Sequence, residues 1–301
     1  MACSASALVP WASFRVYSSA MDRVRIKFWG VRGSLAAPGR DTVRFGGNTT
    51  CIEIVCGKTR IICDAGTGLR PLGIDLARRA SGRAVNATIL LSHLHWDHYI
   101  GLPFFQPFFE RRNRFLIAGP EAGGSGFKRL LDEAIRPPYM PMRLGDLGAR
   151  ISYKSIRAKA FEIDRVRVTP IAANHPDGAI GWRFDFPGGR SAAVMSDNEP
   201  GDDARALSLV EWMAGADVLV HDAQYTPQEY RRRRGWGHSP FLYPIGLARA
   251  AEIPRLYLTH FDPESSDKKL MRIASAAKAF IVKKRSSLRC ELAREGLCFF
   301  L

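Results

Sequence analysis

Histidine is scarce in this chain, seven among 301 residues, and acids are outnumbered: 29 Asp and Glu stand against 44 Lys and Arg, a formal net charge of +15 at neutral pH. Long apolar runs are missing. The most continuous stretches, Ala87–Leu91 and Ala216–Val220, have strand length, far short of the ~18–20 residues of a membrane span, so no membrane association is expected. The six cysteines, at positions 3, 51, 56, 63, 290 and 298, form no Cys-x-x-Cys pair and stand in no zinc-ligand spacing with a histidine. That argues against a disulfide framework and favours a reducing, cytoplasmic setting. Gly and Pro show no period, which excludes collagen-like and wholly disordered chains.

The basic excess is mostly arginine, 34 Arg to 10 Lys, with one run at Arg231–Arg234. Such a field attracts anions, with nucleic acid, phosphorylated metabolites and lipid headgroups as candidate partners, or it is simply spread over a solvated surface. Residues 1–20 carry one Arg and no acid. Pro10 and Arg15 interrupt any signal-peptide core, so a disordered extension is expected there, followed by a single domain over 21–301. Apolar and β-branched runs predict strands at Val24–Trp29, Cys51–Cys56, Arg60–Asp64, Thr88–Ser92, Phe115–Ala118, Ile151–Ile156, Phe161–Ile171, Gly181–Phe186, Ser191–Ser196, Val218–His221 and Arg255–Thr259. Helical patterns cover Pro71–Ala80, Gly126–Ile135, Asp203–Ala214, Pro227–Arg233, Pro240–Ala251 and Ser266–Ile281. Early hairpins followed by βα alternation make an α/β chain of stacked sheets inside a helical coat.

Chemistry concentrates at Ser92–Leu102, SHLHWDHYIGL, where His93, His95, Asp97 and His98 fall within six positions after a buried strand. A strand end and a tight loop can converge three imidazoles and a carboxylate on a small volume. Neutral imidazole and carboxylate suit zinc, manganese or iron. Further donors stand at the ends of other predicted strands: Asp64, His175, Asp197 and His260. Side chains at successive strand ends gather on one rim, where loops build sites.

With these motifs in order, together with FWGVRGS, FGGNTTC, DAGTG, NHPDGAIGWR, SDNEP, HDAQY, GWGHS and THFDP, the chain resembles metallo-β-lactamase-fold hydrolases over about residues 22–283. The resemblance is to the phosphodiesterase branch that includes RNase Z and phosphoribosyl cyclic phosphodiesterases. It implies a four-layer αβ/βα sandwich. It further implies two divalent metal ions, zinc foremost: His93, His95 and His175 on one, Asp97, His98 and His260 on the other, Asp197 bridging, and Asp64 supporting from behind. A metal-bridging hydroxide would attack phosphorus in line, with Asp97 accepting its hydrogen bond. His238 is the matching acid for the leaving group, and Asp222 the residue that orients it. His221, inside a strand, reads as packed rather than ligating.

Arg32 and Asn48, on glycine-rich loops, are candidate substrate contacts, or these loops are plain hairpin turns. Ser239 is a third candidate and the expected N-cap of a helix opening at Pro240, whose N–H groups would favour an anion. Only 22 positions separate His175 from Asp197, too few for the tRNA-gripping arm of RNase Z. A small or cyclic phosphodiester is therefore the expected substrate. A lactone, thioester or other ester is the first alternative, and a nuclease or nucleic-acid binder without that arm the second. The oligomeric state is open, homo-oligomers included.

Overall fold

The computed structural model describes residues 23–121 and 126–301, so the expected N-terminal extension lies outside the described residues. Fourteen strands follow one another among these residues: β1 (Val24–Gly30), β2 (Cys51–Cys56), β3 (Thr59–Cys63), β4 (Asn86–Leu90), β5 (Arg114–Pro120), β6 (Arg150–Ile156), β7 (Phe161–Ile163), β8 (Val166–Ala173), β9 (Ala179–Asp185), β10 (Ser191–Met195), β11 (Val218–Asp222), β12 (Arg255–Thr259), β13 (Arg289–Leu292) and β14 (Cys298–Phe300). They form two seven-stranded sheets, ordered β14-β1-β2-β3-β4-β5-β6 and β13-β12-β11-β10-β9-β8-β7. Helices α1 (Leu69–Ala80) and α3 (Phe127–Ala134) cover the first sheet; α4 (Asp203–Met213), α6 (Leu242–Ala250) and α7 (Asp267–Lys283) cover the second. This is the four-layer α/β sandwich that the resemblance implies.

The burial patterns explain the layering. One apolar cluster joins β1–β3 to β8–β12 between the sheets and continues under α4, α6 and α7. A second lies between the first sheet and α1 and α3. Strands β10 and β11 are buried at every position, as expected for parallel strands covered on both faces. Polar caps start the helices: Asp202 accepts from the Arg205 N–H ahead of α4, and Ser266 from the Lys269 N–H ahead of α7. No helix among the described residues is long and apolar enough to cross a membrane.

The predicted strand Phe161–Ile171 is two strands, broken where Asp164 takes a φ of 51°. β13 and β14 were not predicted, because RCEL and CFF are too short to show a period. Their pairing with β12 and β1 supplies what local pattern lacks. The sequence HWDHY, read as a tight loop, winds into a short helix, α2 (Trp96–Tyr99), and the helix predicted over Pro227–Arg233 shortens to α5 (Pro227–Tyr230). The helix expected from Pro240 opens instead at α6, with Phe241 at its N-cap, so Ser239 caps nothing.

Within the first sheet β3–β6 run parallel, and so do β10–β13 in the second. Their carboxyl ends meet at one rim. The residues that follow β3, β4, β8, β10 and β12 are Asp64, Ser92–His98, His175, Asp197 and His260, and Asp222 closes β11.

Candidate metal centre

His93, His95 and His175 each offer one donor atom, a ring nitrogen, within 4.8 Å of one another; His93, His98 and Asp197, and likewise Asp97, His98 and His260, each form such a group with the aspartates offering a carboxylate oxygen. All but His95 are buried. Asp197 stands centrally: its Oδ1 lies 3.1 Å from His260 Nε2 and 3.3 Å from His98 Nε2, while its Oδ2 lies 3.8 Å from His93 Nε2 and 3.9 Å from His175 Nε2. Asp97 Oδ2 lies 3.1 Å from both His98 Nε2 and His260 Nε2, and accepts the Ser34 N–H at 2.7 Å.

Electrostatics sharpens this donor set. Burial, reinforced by the neighbouring imidazoles, holds His93 well below the usual histidine range and His175 at about 4. Burial opposes ionisation of Asp197, yet His260, His98 and His93 outweigh it and hold the carboxyl well below its ordinary value. Neutral His93 and His175 beside an ionised Asp197 match the ligand state of a divalent metal site, while His98, whose pKa Asp97, Asp197 and Asp64 raise against burial, has a proton to lose before it ligates. His93 Nε2, His175 Nδ1 and Asp197 Oδ1 are buried without a hydrogen-bond partner, which natural proteins rarely tolerate unless something else engages the atoms. The residues present therefore fit divalent metal binding.

Behind the donors, Asp64 accepts the Ser92 N–H at 2.7 Å and the Ser196 hydroxyl at 2.8 Å, and its Oδ2 lies 3.1 Å from His98 Nδ1. Asp64 and His260 both sit in the left-handed region, at φ 60° and 58°. Asp and His tolerate that region better than bulky residues, and such outliers gather at functional sites. Gly33 is required beside His260, since a Cβ there would come within 2.3 Å of the imidazole.

His238 lies next to the cluster, its Nδ1 3.3 Å from Asp222 Oδ2 and 3.6 Å from Asp197 Oδ2. Burial works against its charged form, but the adjacent Asp222 carboxylate, with Asp197 and Asp97 behind, lifts its pKa to about 9. Asp222 is itself fixed by the N–H groups of Gln224, Ser239 and Asn198. His221 packs in β11 with its Nδ1 2.8 Å from the Asp222 carbonyl.

The three expected substrate contacts do not reach the cluster as anticipated. Arg32 is fully buried and donates to the carbonyls of Gly46, Asp262 and Ser265, tying two loops together. Asn48 donates to Glu295. Ser239 is fully buried, its hydroxyl on the Asn198 carbonyl and its N–H on Asp222. These contacts hold loops together, which a sequence motif cannot distinguish from holding a ligand.

Two residues of the quoted motifs carry weight that sequence reading missed. Gln224 accepts from or donates to nothing random: its Oε1 lies 3.0 Å from His260 Nδ1, and its amide donates to Ser34 Oγ and Tyr225 Oη. Glu199 accepts the N–H groups of Gly235 and Gly237 at 2.7 and 2.9 Å and the Tyr230 hydroxyl at 3.0 Å, clamping the loop that presents His238. Gly237 has φ 86°, and a Cβ there would lie 2.3 Å from the His175 ring. Charge-assisted hydrogen bonds contribute ~1.5–3 kcal/mol each. Glu199→Ala is thus expected to speed amide hydrogen exchange at Gly235 and Gly237 by at least about tenfold; unchanged protection there would refute the clamp.

The family model for the beta-lactamase superfamily domain matches residues 59–261. The chain belongs to that superfamily. A ribonuclease Z of Ignicoccus hospitalis is 26% identical over 223 residues, covering 60% of this chain and 71% of the relative. One from Haloarcula marismortui is 22% identical and covers 91% and 96%. Among solved structures, the metallo-beta-lactamase fold protein YhfI from Bacillus subtilis superposes with a TM-score of 0.68 at 16% identity, covering 93% of this chain and all of that one.

Proposed function

We propose that this protein is a dinuclear metal-dependent phosphodiesterase acting on a small or cyclic phosphodiester. The carrying observation is His238: a buried imidazole whose Nδ1 lies 3.3 Å from the Asp222 carboxylate, beside a complete His/Asp donor set, provides an acid that metal binding alone does not need. Relatives named ribonuclease Z and a structural neighbour described as a diphosphatase of the PhnP family support phosphoester chemistry. The apolar cluster joining residues from Val24 to Ala293 supports one catalytic unit.

In this reading His93, His95 and His175 would hold one ion and Asp97, His98 and His260 the other, with Asp197 placed to serve both. Bound zinc, with manganese or iron as alternatives, supplies Lewis acidity that makes water a nucleophile near neutral pH and offsets phosphoryl charge. The chain's own residues do the rest. Asp97, anchored by the Ser34 N–H, accepts a hydrogen bond from the attacking water. His238 donates its proton to the leaving alkoxide, and Asp222 keeps the imidazole charged and aimed. Trp96, between His95 and Asp97, and Trp236, two positions before His238, are 71% and 60% exposed, which favours a substrate with a flat apolar group. Arg233 is pinned to Asp262 at 2.8 Å and lies over the Tyr225 ring, while its three neighbours in the run are exposed. The 21 residues between His175 and Asp197 hold only β9, β10 and their connections, which favours a small diester over tRNA.

The test is a substrate panel with metal add-back. Cleavage of bis(p-nitrophenyl) phosphate and of cyclic diesters is expected, and lactone or thioester cleavage without phosphodiester cleavage would overturn the reading. Chelation is expected to abolish turnover and lower the melting temperature by roughly 10 °C, since an ion present at a thousandfold its Kd contributes about 4 kcal/mol. Metal binding should also release protons. Burial lowers the His98 pKa, but Asp97, Asp197 and Asp64 raise it well above the usual histidine range. The ring must give up that proton to ligate, so apparent affinity rises with pH. Calorimetry in buffers of different ionisation enthalpy reads the release directly.

A further inference from the structure

At the end of the sandwich opposite the metal rim, the two sheets part around a cavity of about 420 Å³. Its floor is the face of the first sheet that elsewhere packs on the second. Ile61, Leu90 and Ala118 carry that face in the core, and strand alternation puts Arg114, four residues before Ala118, on the same side. Arg114 stands directly opposite Arg150 on β6 and Asn86 on β4. Two guanidinium-bearing residues thus sit side by side on neighbouring strands, about 5 Å apart at the backbone. Lys58 adds a third basic residue to the lining, and Asp164 contributes from the turn between β7 and β8; Arg60 alternates with Ile61 and turns to the other face of the sheet.

Compensation within the protein is nearly absent. Arg60 is engaged by Glu53 at 3.0 Å, and Asp164 accepts the Thr59 hydroxyl at 2.7 Å. Lys58, Arg114 and Arg150 are solvent-exposed, and their side chains make no ion pair or hydrogen bond among the described residues. Like charges directly opposite across a strand pair destabilise a sheet. A bound anion removes the repulsion. Paired guanidinium forks match the oxygens of a phosphoryl group, and the volume lies in the range of small-ligand sites.

We propose that this cavity binds a small phosphate-bearing anion, at a site separate from the metal centre. β4 runs from Asn86 in the cavity to Leu90 just before His93, so the two sites lie roughly 15–20 Å apart. The proposal is independent of the catalytic reading, because it uses none of its residues.

Calorimetric titration of the metal-loaded protein with inorganic phosphate, and separately with adenosine monophosphate, tests it. Asp197→Asn, altered at the metal rim, is expected to keep saturable binding. R114Q/R150Q is expected to weaken that binding at least tenfold, or to lose one equivalent of it, while hydrolysing phosphodiesters at the parental rate. Equal binding of the two probes identifies bare phosphoryl recognition, and tighter binding of the nucleotide identifies an organic part seated in the cavity. Without ligand the double variant should melt no lower than the parent, as repulsion is removed. Should it fail to fold, Arg150→Gln on the edge strand alone carries the test. Parental phosphate binding by the arginine variant, or no binding by Asp197→Asn, overturns the proposal.

Discussion

Asp197→Asn is expected to strip the protein of bound divalent ions and to cut phosphodiester turnover by at least about 10³-fold. The substitution keeps the shape of the side chain and removes its charge. Asp197 is the one group whose two oxygens face both halves of the donor set, Oδ1 towards His98 and His260 and Oδ2 towards His93 and His175. An amide offers one oxygen acceptor and one N–H₂ donor, so one half would meet a donor where it needs a lone pair. Elemental analysis and kcat/KM on the same preparation check the result. Full metal content together with parental activity would remove Asp197 from the centre.

His238→Ala is expected to leave metal content intact and to lower kcat by about 10²–10⁴-fold, the usual worth of a positioned general acid. The pH profile carries a signature that structural damage would not imitate. With its pKa lifted to about 9, mainly against burial by Asp222, His238 is protonated at neutral pH. Activity that depends on the protonated ring falls as pH rises through that pKa, giving an alkaline limb. Bound cations nearby move the limb to lower pH, since they disfavour the imidazolium. The limb should vanish in His238→Ala and shift downward in Asp222→Asn, and substrates with acidic leaving groups should lose least. An alkaline limb that persists unchanged in the alanine variant would assign it to another group.

Much of this site is readable in the sequence because its donors are short-range. His93, His95, Asp97 and His98 lie within six positions, and only metal or catalytic chemistry commonly collects such residues after a buried strand. His175, Asp197 and His260 were legible as strand-end residues, and Asp222 and His238 through motifs that resemble a known family. Arg32, Asn48 and Ser239 mark where that reading fails. Their loops do approach the rim, but whether a polar side chain on a loop faces a ligand or its own backbone depends on contacts across 14 to 247 positions of chain, such as Arg32 to Gly46 and Asn48 to Glu295. Glu199 shows the converse. It sits in the quoted SDNEP motif, yet its partners lie 31 to 38 positions downstream.

What the sequence determined by itself is therefore what local chemistry and periodicity encode: an α/β sandwich built from buried strands, and a metal-type donor set at their carboxyl ends. What only the tertiary structure decided are the relations between distant segments: the clamp of Glu199 on the His238 loop, the burial of Arg32, the short strands β13 and β14, and the unneutralised arginine pair where the sheets part. The physical reason is one of range. Side-chain period and motif spacing act over a few residues, whereas desolvation, charge compensation and hydrogen-bond satisfaction are set by whatever the fold brings alongside.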